Sequence, residues 1–152
     1  MPLYFVQHGV ALAKEIDPDR RLSEDGRKDV ERISLYLKGI GVTINRFYHS
    51  GKTRAMETAQ IFAGHIGDGS ISELPGMNPD DDVKKFIKIL KEDDAMYVGH
   101  LPHLEKLISY LITGNEEAGI VKLTNGGIVC LNRDDAGCHV AWYLKPSMCR
   151  KY

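Results

Sequence analysis

Short apolar runs alternate along this chain with segments of helical periodicity, and this alternation limits the folds that the chain can adopt. Residues 3–6 form an apolar run that is too short for a helix and predict a strand. Arg46–His49 and Ala95–Gly99 are two further short strand candidates. A loop and then a segment with apolar residues at helical spacing follow each of them. We therefore expect an α/β fold, a three-layer α/β/α sandwich with helices on both faces of a mostly parallel sheet.

Helix boundaries and late strands can also be placed from the sequence. Ser23 is a candidate N-cap for a helix that stops near Gly39, and a second helix is expected over residues 53–65. The acidic run at residues 80–82 suits the N-terminus of a third helix better than a metal site. The C-terminal part predicts strands that add antiparallel pairs to the sheet, at residues 121–123, 128–131 and 139–144.

Length, charge and cysteine content narrow the classes of protein that remain. The 152 residues show no repeat or linker, so we expect a single domain over residues 1–152. Twenty Lys and Arg residues against twenty-one Asp and Glu argue against a nucleic-acid partner. No apolar run reaches the roughly 20 residues of a membrane span, and no basic signal-peptide region opens the chain. The spacing of the three cysteines (Cys130, Cys138 and Cys149) fits neither a metal site nor a disulfide framework. We expect buried or half-buried thiols in a C-terminal sheet. Free thiols are typical of a reducing compartment, so we also expect a cytoplasmic location.

Reactive side chains follow three of the predicted strands. His8 follows the strand at residues 3–6, a turn leading to Arg54 follows Arg46–His49, and His100 follows Ala95–Gly99. Ligands bind beyond the carboxyl ends of the strands in open α/β sheets, so we expect these groups to meet at one edge. A neutral imidazole can accept a phosphoryl group, and an arginine at a helix N-terminus can hold its oxygens. The alternatives are ordinary histidines near strand ends and an Arg54 that pairs with Glu57 on its own helix.

These residues resemble the histidine phosphatase superfamily, also called phosphoglycerate mutase-like. The resemblance is carried by Gln7-His8-Gly9, by SGKTRAMET at residues 50–58 and by Gly99-His100. Three further stretches (residues 20–23, 98–102 and 123–128) and the short length are similar to the SixA-type phosphohistidine phosphatases. The resemblance extends from residue 3 to about residue 146, which implies a phosphoglycerate mutase-like fold for nearly the whole chain.

The resemblance implies a role for each matching residue. His8 corresponds to the nucleophile that becomes phosphorylated, Arg54 to a phosphate ligand and His100 to a second pocket histidine that contacts the phosphoryl group. Arg20 corresponds to an arginine with a less defined role. Gly9 is expected to let the backbone approach the phosphate without a Cβ atom in between. Neither a metal nor a cofactor is implied by this chemistry.

Gln7 departs from the motif of the family, which has arginine at this position. Glutamine can donate a hydrogen bond to a phosphate oxygen, but it brings no charge and no bidentate fork. Lys52, Arg20 and Arg21 are candidates for supplying the missing charge. A partly buried Gln7 amide without any ligand is the alternative interpretation.

The expected activity is that of a metal-independent phosphatase with a phosphohistidine intermediate. Glu73 and Asp80 are the nearest candidates for a general acid, and neither matches a motif. Because an imidazole leaving group needs less protonation than a sugar alcohol, we expect a phosphorylated protein carrying phosphohistidine as the partner. A chain of this length also leaves no insertion for a lid over the pocket. A small phosphomonoester substrate and a phosphate-binding pseudoenzyme are the alternatives, and the oligomeric state is left open.

Overall fold

One mixed sheet of six strands forms the centre of the computed structural model, which describes residues 2–90 and 92–149. The spatial order of the strands is β3-β2-β4-β1-β5-β6. The four strands on one side of the sheet run parallel to one another, and the two C-terminal strands join antiparallel. In chain order the strands are β1 (Pro2–Gln7), β2 (Arg46–His49), β3 (Ser72–Glu73), β4 (Ala95–Gly99), β5 (Ile128–Asp134) and β6 (Gly137–Leu144).

Helices cover both faces of this sheet. They are α1 (Glu24–Gly39), α2 (Thr53–Ile66), α3 (Val83–Ile87) and α4 (His103–Thr113), with a 3-10 turn at Pro146–Met148. Alternate residues of β1 point to opposite faces: Val6 lies in the cluster with α1 and α2, and Phe5 lies in the cluster with α3 and α4. Because both faces are buried, β1 and β4 are apolar almost throughout, and the predicted three-layer α/β/α architecture is confirmed.

The predicted helix starts agree with the capping contacts. The Ser23 hydroxyl accepts a hydrogen bond from the Gly26 N–H at 2.9 Å, directly before α1. The Asp82 carboxylate accepts one from the Lys84 N–H at 2.9 Å at the start of α3. The acidic run therefore has a structural use at a helix N-terminus, as expected.

Two predictions for the C-terminal part were wrong. Residues 121–123 form no strand, because the Leu123 N–H donates to the Glu105 carboxylate of α4 at 2.8 Å and does not pair with a neighbouring strand. Cys149 is buried but follows the 3-10 turn and does not lie in the sheet. Cys130 and Cys138 do lie in β5 and β6, and all three thiols are free.

Over residues 2–90 and 92–149, no helix combines the length and the apolar character that a membrane crossing needs.

Candidate active site

The parallel strands bring the predicted site residues to one edge of the sheet. Gln7 is paired with Gly99, so the next residues, His8 and His100, leave adjacent strands side by side. Their ring centroids are 5.0 Å apart. Ser50 follows the neighbouring strand β2, and Arg54 lies in the first turn of α2. The strand-end rule therefore placed His8, His100 and Arg54 in the same region of the molecule.

A backbone contact orients the His8 ring. Its Nδ1 lies 2.7 Å from the Gly9 carbonyl oxygen, and since a carbonyl only accepts, Nδ1 carries the proton and donates it. The Nε2 lone pair is then free to attack an electrophile. Burial lowers the pKa of His8 to about 4, and the nearby charges of Arg54 and Arg20 act in the same direction. His8 is consequently a neutral imidazole at pH 7, which is the form a nucleophile requires.

His100 is held by a hydroxyl group of the neighbouring strand end. Its Nε2 lies 2.6 Å from the Ser50 Oγ, while its buried Nδ1 has no hydrogen-bond partner among the described residues. Burial, followed by the influence of His8, Arg54 and Lys52, lowers the pKa of His100 to about 3. His100 is consequently a neutral ring at pH 7 and adds no positive charge to the pocket.

Arg54, Arg20 and Lys52 contribute positive charge to this region, the two arginines beside His8 and Lys52 beside His100. In the described part of the chain, the buried Arg54 Nε has no hydrogen-bond partner, and Arg54 makes no ion pair. The expected alternative partner, Glu57, instead accepts hydrogen bonds from the Leu22 N–H at 2.8 Å and from Arg27 at 2.7 Å. Burial and, to a smaller extent, the charge of Arg20 lower the pKa of Arg54, so the two guanidinium groups lie within electrostatic range of each other. Arg54 is thus available to an anionic ligand.

Arg20 and Arg21 have different surroundings although they are adjacent in sequence. The Arg20 Nε donates to the Leu12 carbonyl at 3.1 Å, and its charge lowers the pKa of His8. Arg21 is mostly exposed, and its guanidinium lies 3.3 Å from the Asp17 carboxylate. Of this pair, Arg20 is the one that adds charge to the His8 region.

Gln7 and Gly9 flank the candidate nucleophile. The Gln7 side chain is buried, and its Oε1 has no hydrogen-bond partner among the residues described. The Gly9 N–H donates to the Thr58 Oγ1 at 3.0 Å. A Cβ atom at Gly9 would lie 2.9 Å from the Val30 Cγ2. Close packing against α1 is therefore one reason for a glycine at this position, and the expected approach of a phosphate to Gly9 stays a prediction.

Three polar residues that position the site were not identified from the sequence. The Asn125 Nδ2 donates to the His8 carbonyl at 3.1 Å, so the turn before β5 fixes the chain at His8. Thr58 donates to the Arg54 carbonyl at 2.8 Å while accepting from Gly9, which ties α2 to the end of β1. Ser50 orients His100, as described above. All three lie in the motifs that carry the family resemblance, but spacing alone assigned them no role.

The acidic residues near this region have exposed side chains. Glu73 lies against Gly51, where an added Cβ atom would come within 2.8 Å of the carboxyl carbon, and Asp80 lies on the loop before α3. Within residues 2–90 and 92–149, no three His, Cys, Asp or Glu side chains come together as a group that could hold a metal ion.

We expect the stability of the protein to fall as the pH drops from 7 to 5. The folded-state pKa values of His8 and His100 lie near 4 and 3, below the ordinary value of about 6.5. The unfolded chain therefore takes up protons in this window that the folded chain does not, which costs about 2 kcal/mol per histidine. Urea denaturation at pH 7, 6 and 5 measures the effect. A double variant His8→Asn, His100→Asn should show a clearly shallower dependence, and an equal slope in both proteins would contradict the assignment.

Comparisons with known proteins give the same fold and a family. The model of the histidine phosphatase superfamily, branch 1, matches residues 3–78, which is 76 of the 152 residues. The mitochondrial serine/threonine-protein phosphatase PGAM5 of Mus musculus is 37% identical over 51 residues, covering 34% of this chain. The chain matches only 18% of the length of that relative.

Solved structures resemble the chain over nearly its whole length. The protein histidine phosphatase SixA complexed with tungstate superposes with a TM-score of 0.83 and 23% identity, covering 97% of this chain and 99% of SixA. A phosphoserine phosphatase from Entamoeba histolytica, in complex with 3-phosphoglyceric acid, superposes with a TM-score of 0.73 and 15% identity, covering 93% and 95%. At these identities the similarity shows the shared fold.

Proposed function

The chain belongs to the histidine phosphatase superfamily, and from that premise we propose that it is a phosphatase in which His8 accepts the phosphoryl group of a protein phosphohistidine. The observation that carries the proposal is the His8 ring, whose Nδ1 is engaged by the Gly9 carbonyl and whose Nε2 is left unprotonated. A neutral ring beside two arginines and a second histidine suits the attack on phosphorus.

The reaction divides into two displacements at phosphorus. In the first, the Nε2 lone pair of His8 forms a bond to phosphorus while the bond to the leaving imidazole breaks. The imidazole nitrogen keeps the bonding electrons and takes a proton from solvent. In the second, a water oxygen attacks the phosphorus of phospho-His8, inorganic phosphate departs with the oxygen of that water, and His8 Nε2 regains its lone pair.

Arg54 supports both steps by holding the phosphoryl oxygens. Charge builds up on these oxygens in the transition state, and a guanidinium can donate two parallel hydrogen bonds to them. Arg20 adds a second positive charge near His8. The neutral Gln7 and His100 are proposed to donate uncharged hydrogen bonds to the same group, so the net charge of +2 offered by the arginines suits a phosphoryl dianion.

The choice of a protein substrate depends on the leaving group and on the fold shared with SixA. Glu73 is exposed in β3 and Asp80 is exposed on the loop before α3. Because an imidazole departs more readily than an alkoxide, the proposed substrate does not depend on either residue as an acid. SixA, which shares the fold over 97% of this chain, is named a protein histidine phosphatase. We propose that residues 1–152 act as one domain, and the cytoplasmic location expected from the sequence stays a prediction.

Two alternatives remain testable beside this proposal. A small phosphomonoester is favoured by the fold shared with a phosphoserine phosphatase. A module that binds phosphate without turnover is favoured by Gln7, which lacks the charge of the family arginine. The three functions differ in which substrate is hydrolysed and in whether phosphate is released at all.

The test compares two substrates with one covalent trap. The protein is incubated with a phosphohistidine-bearing protein and, separately, with an aryl phosphate, and released phosphate is measured. The covalent trap is the phosphoryl group that the enzyme takes from the substrate, and it serves as the label. Because acid destroys phosphohistidine, the phosphorylated enzyme is isolated in alkali and the phosphoryl group is mapped to a peptide. The proposal expects faster release from phosphohistidine and a label on His8. Faster release from the aryl phosphate favours the small substrate, and binding without release or label favours the module.

Gln7→Arg is expected to raise turnover by about tenfold to a hundredfold. A guanidinium at the end of β1 would replace an uncharged hydrogen bond with a charge-assisted one, a gain of roughly 1.5–3 kcal/mol if it is fully expressed in the transition state. Steady-state kinetics on the preferred substrate measures the change. Gln7→Lys is a control for charge without the planar fork. Unchanged or lower turnover in Gln7→Arg would show that Gln7 does not limit the rate.

A further inference from the structure

Arg20 is carried by a loop that folds back beside His8. The loop runs over residues 10–23, between β1 and α1, and its two arms are joined by backbone hydrogen bonds. The Leu12 N–H donates to the Arg21 carbonyl at 2.8 Å, and Ala11 forms an antiparallel bridge with Leu22. These contacts anchor the base of the loop, next to Arg20.

The backbone at Arg20 is in an unfavourable conformation. Its φ angle is +51°, in the left-handed region that residues with a Cβ atom rarely adopt. Arginine is not among the residues that tolerate this region well, so surrounding contacts must hold it there. The side chain uses this conformation to place its Nε 3.1 Å from the Leu12 carbonyl, half-buried on the side of His8.

A buried carboxylate supplies contacts on both sides of this residue. Asp17 is only 8% exposed although it is charged and lies in a surface loop. Its Oδ1 accepts from the Asp19 N–H at 3.2 Å, and its Oδ2 accepts from the Arg21 N–H at 3.0 Å. The Asp17 backbone carbonyl also accepts from the Arg20 N–H at 2.9 Å. Asp17 therefore binds the backbone N–H groups of Arg20 and of both its neighbours.

We propose that Asp17 is a positioning residue, which keeps Arg20 in its left-handed conformation with the guanidinium directed toward the pocket of His8 and Arg54. This inference rests on the proposed function, since Arg20 serves the same phosphate site. The lowered pKa values of His8 and Arg54, to which Arg20 contributes, agree with this placement. Without the carboxylate, Arg20 would relax to an ordinary backbone conformation and its side chain would leave the pocket region.

A double-mutant cycle tests the proposal by measuring the Kd for tungstate, an oxyanion of phosphate-like shape. Asp17→Asn keeps the size of the side chain but replaces one acceptor oxygen with an NH₂ group, so the side chain can no longer accept from Asp19 and Arg21 at the same time. We expect it to weaken tungstate binding about threefold to tenfold. Arg20→Gln should weaken binding about tenfold or more, since a charge-assisted contact is lost. In the Arg20→Gln background, Asp17→Asn should add less than about a twofold further loss.

Arg21→Gln is the matched control. It removes the exposed ion pair with Asp17 but keeps the Arg21 N–H that the carboxylate binds, so the Kd should change by less than about twofold. If Asp17→Asn fails to fold, Asp17→Ser, which retains an acceptor oxygen, takes its place in the cycle. Thermal melts of every variant report general damage separately from the Kd.

The possible outcomes separate this inference from the proposed function. An unchanged Kd in Asp17→Asn, or an equal loss with and without Arg20, overturns the positioning role. A wild type that does not bind tungstate overturns both the inference and the proposed phosphate site. A wild type that binds tungstate but releases no phosphate from any substrate overturns the proposed phosphatase alone, and the binding cycle still decides the role of Asp17.

Discussion

His8→Ala is expected to lower phosphate release by at least about a thousandfold, because no other group in the pocket can take over the attack on phosphorus. His100 is the nearest imidazole, with its ring centroid 5.0 Å away, but its Nε2 is engaged by Ser50. The variant should also lose the covalent label, while its affinity for tungstate should change little, since the arginines remain. Single-turnover assays and titration of tungstate measure the two properties.

His65→Ala serves as the control for His8→Ala. His65 lies at the end of α2, and its Nε2 lies 2.6 Å from the Glu31 Oε2 of α1. His65→Ala therefore removes an imidazole that is not located at the strand ends. Its turnover should stay within about twofold of the wild type, as is usual for changes outside the site. Comparable turnover in His8→Ala and wild type would overturn the nucleophilic role of His8.

Arg54→Gln is expected to lower kcat/KM by about a hundredfold to a thousandfold, the range seen when a preorganised donor to a developing negative charge is removed. Among the described residues, the Arg54 Nε has no hydrogen-bond partner and Arg54 makes no ion pair. Its guanidinium is therefore available for the phosphoryl oxygens. Tungstate affinity should fall together with kcat/KM, in contrast to His8→Ala. Steady-state kinetics and titration on the same preparation measure both.

Two further variants make the result for Arg54 specific. Arg54→Lys keeps the charge but loses the planar fork, so we expect it to recover only part of the lost activity. Arg46→Gln removes the same charge from the start of β2, where the side chain is 68% exposed, and should leave kcat/KM nearly unchanged. Equal losses in Arg54→Gln and Arg46→Gln would attribute the effect to overall charge and not to a phosphate contact.

The residues that come together at the strand ends could be predicted because parallel strands share an edge. His8, Arg54 and His100 each follow a recognisable strand or open a helix, and the fold rule applies without knowing any contact distance. The apolar character of β1 and β4 likewise predicted a sheet covered on both faces.

The remaining properties depend on neighbours that are distant in the chain. Thr58 and Asn125 position the end of β1 through hydrogen bonds spanning 49 and 117 residues, which no local pattern encodes. The neutral state of His100 follows from burial, which lowers its pKa, and burial cannot be judged from residue type. Residues 121–123 have the composition of a strand, but the Leu123 N–H donates to the Glu105 carboxylate of α4 and not to a neighbouring strand.

The Nδ1 contact of His8 has a consequence for the regiochemistry of the proposed intermediate. Since Nδ1 lies 2.7 Å from the Gly9 carbonyl, that nitrogen is sterically closed to phosphorus, and only Nε2 can carry a phosphoryl group. Of the two possible phosphohistidine isomers, a trapped enzyme should contain the Nε2-linked one alone. The two isomers have distinct ³¹P resonances, so a spectrum of the trapped protein reports which ring nitrogen reacted.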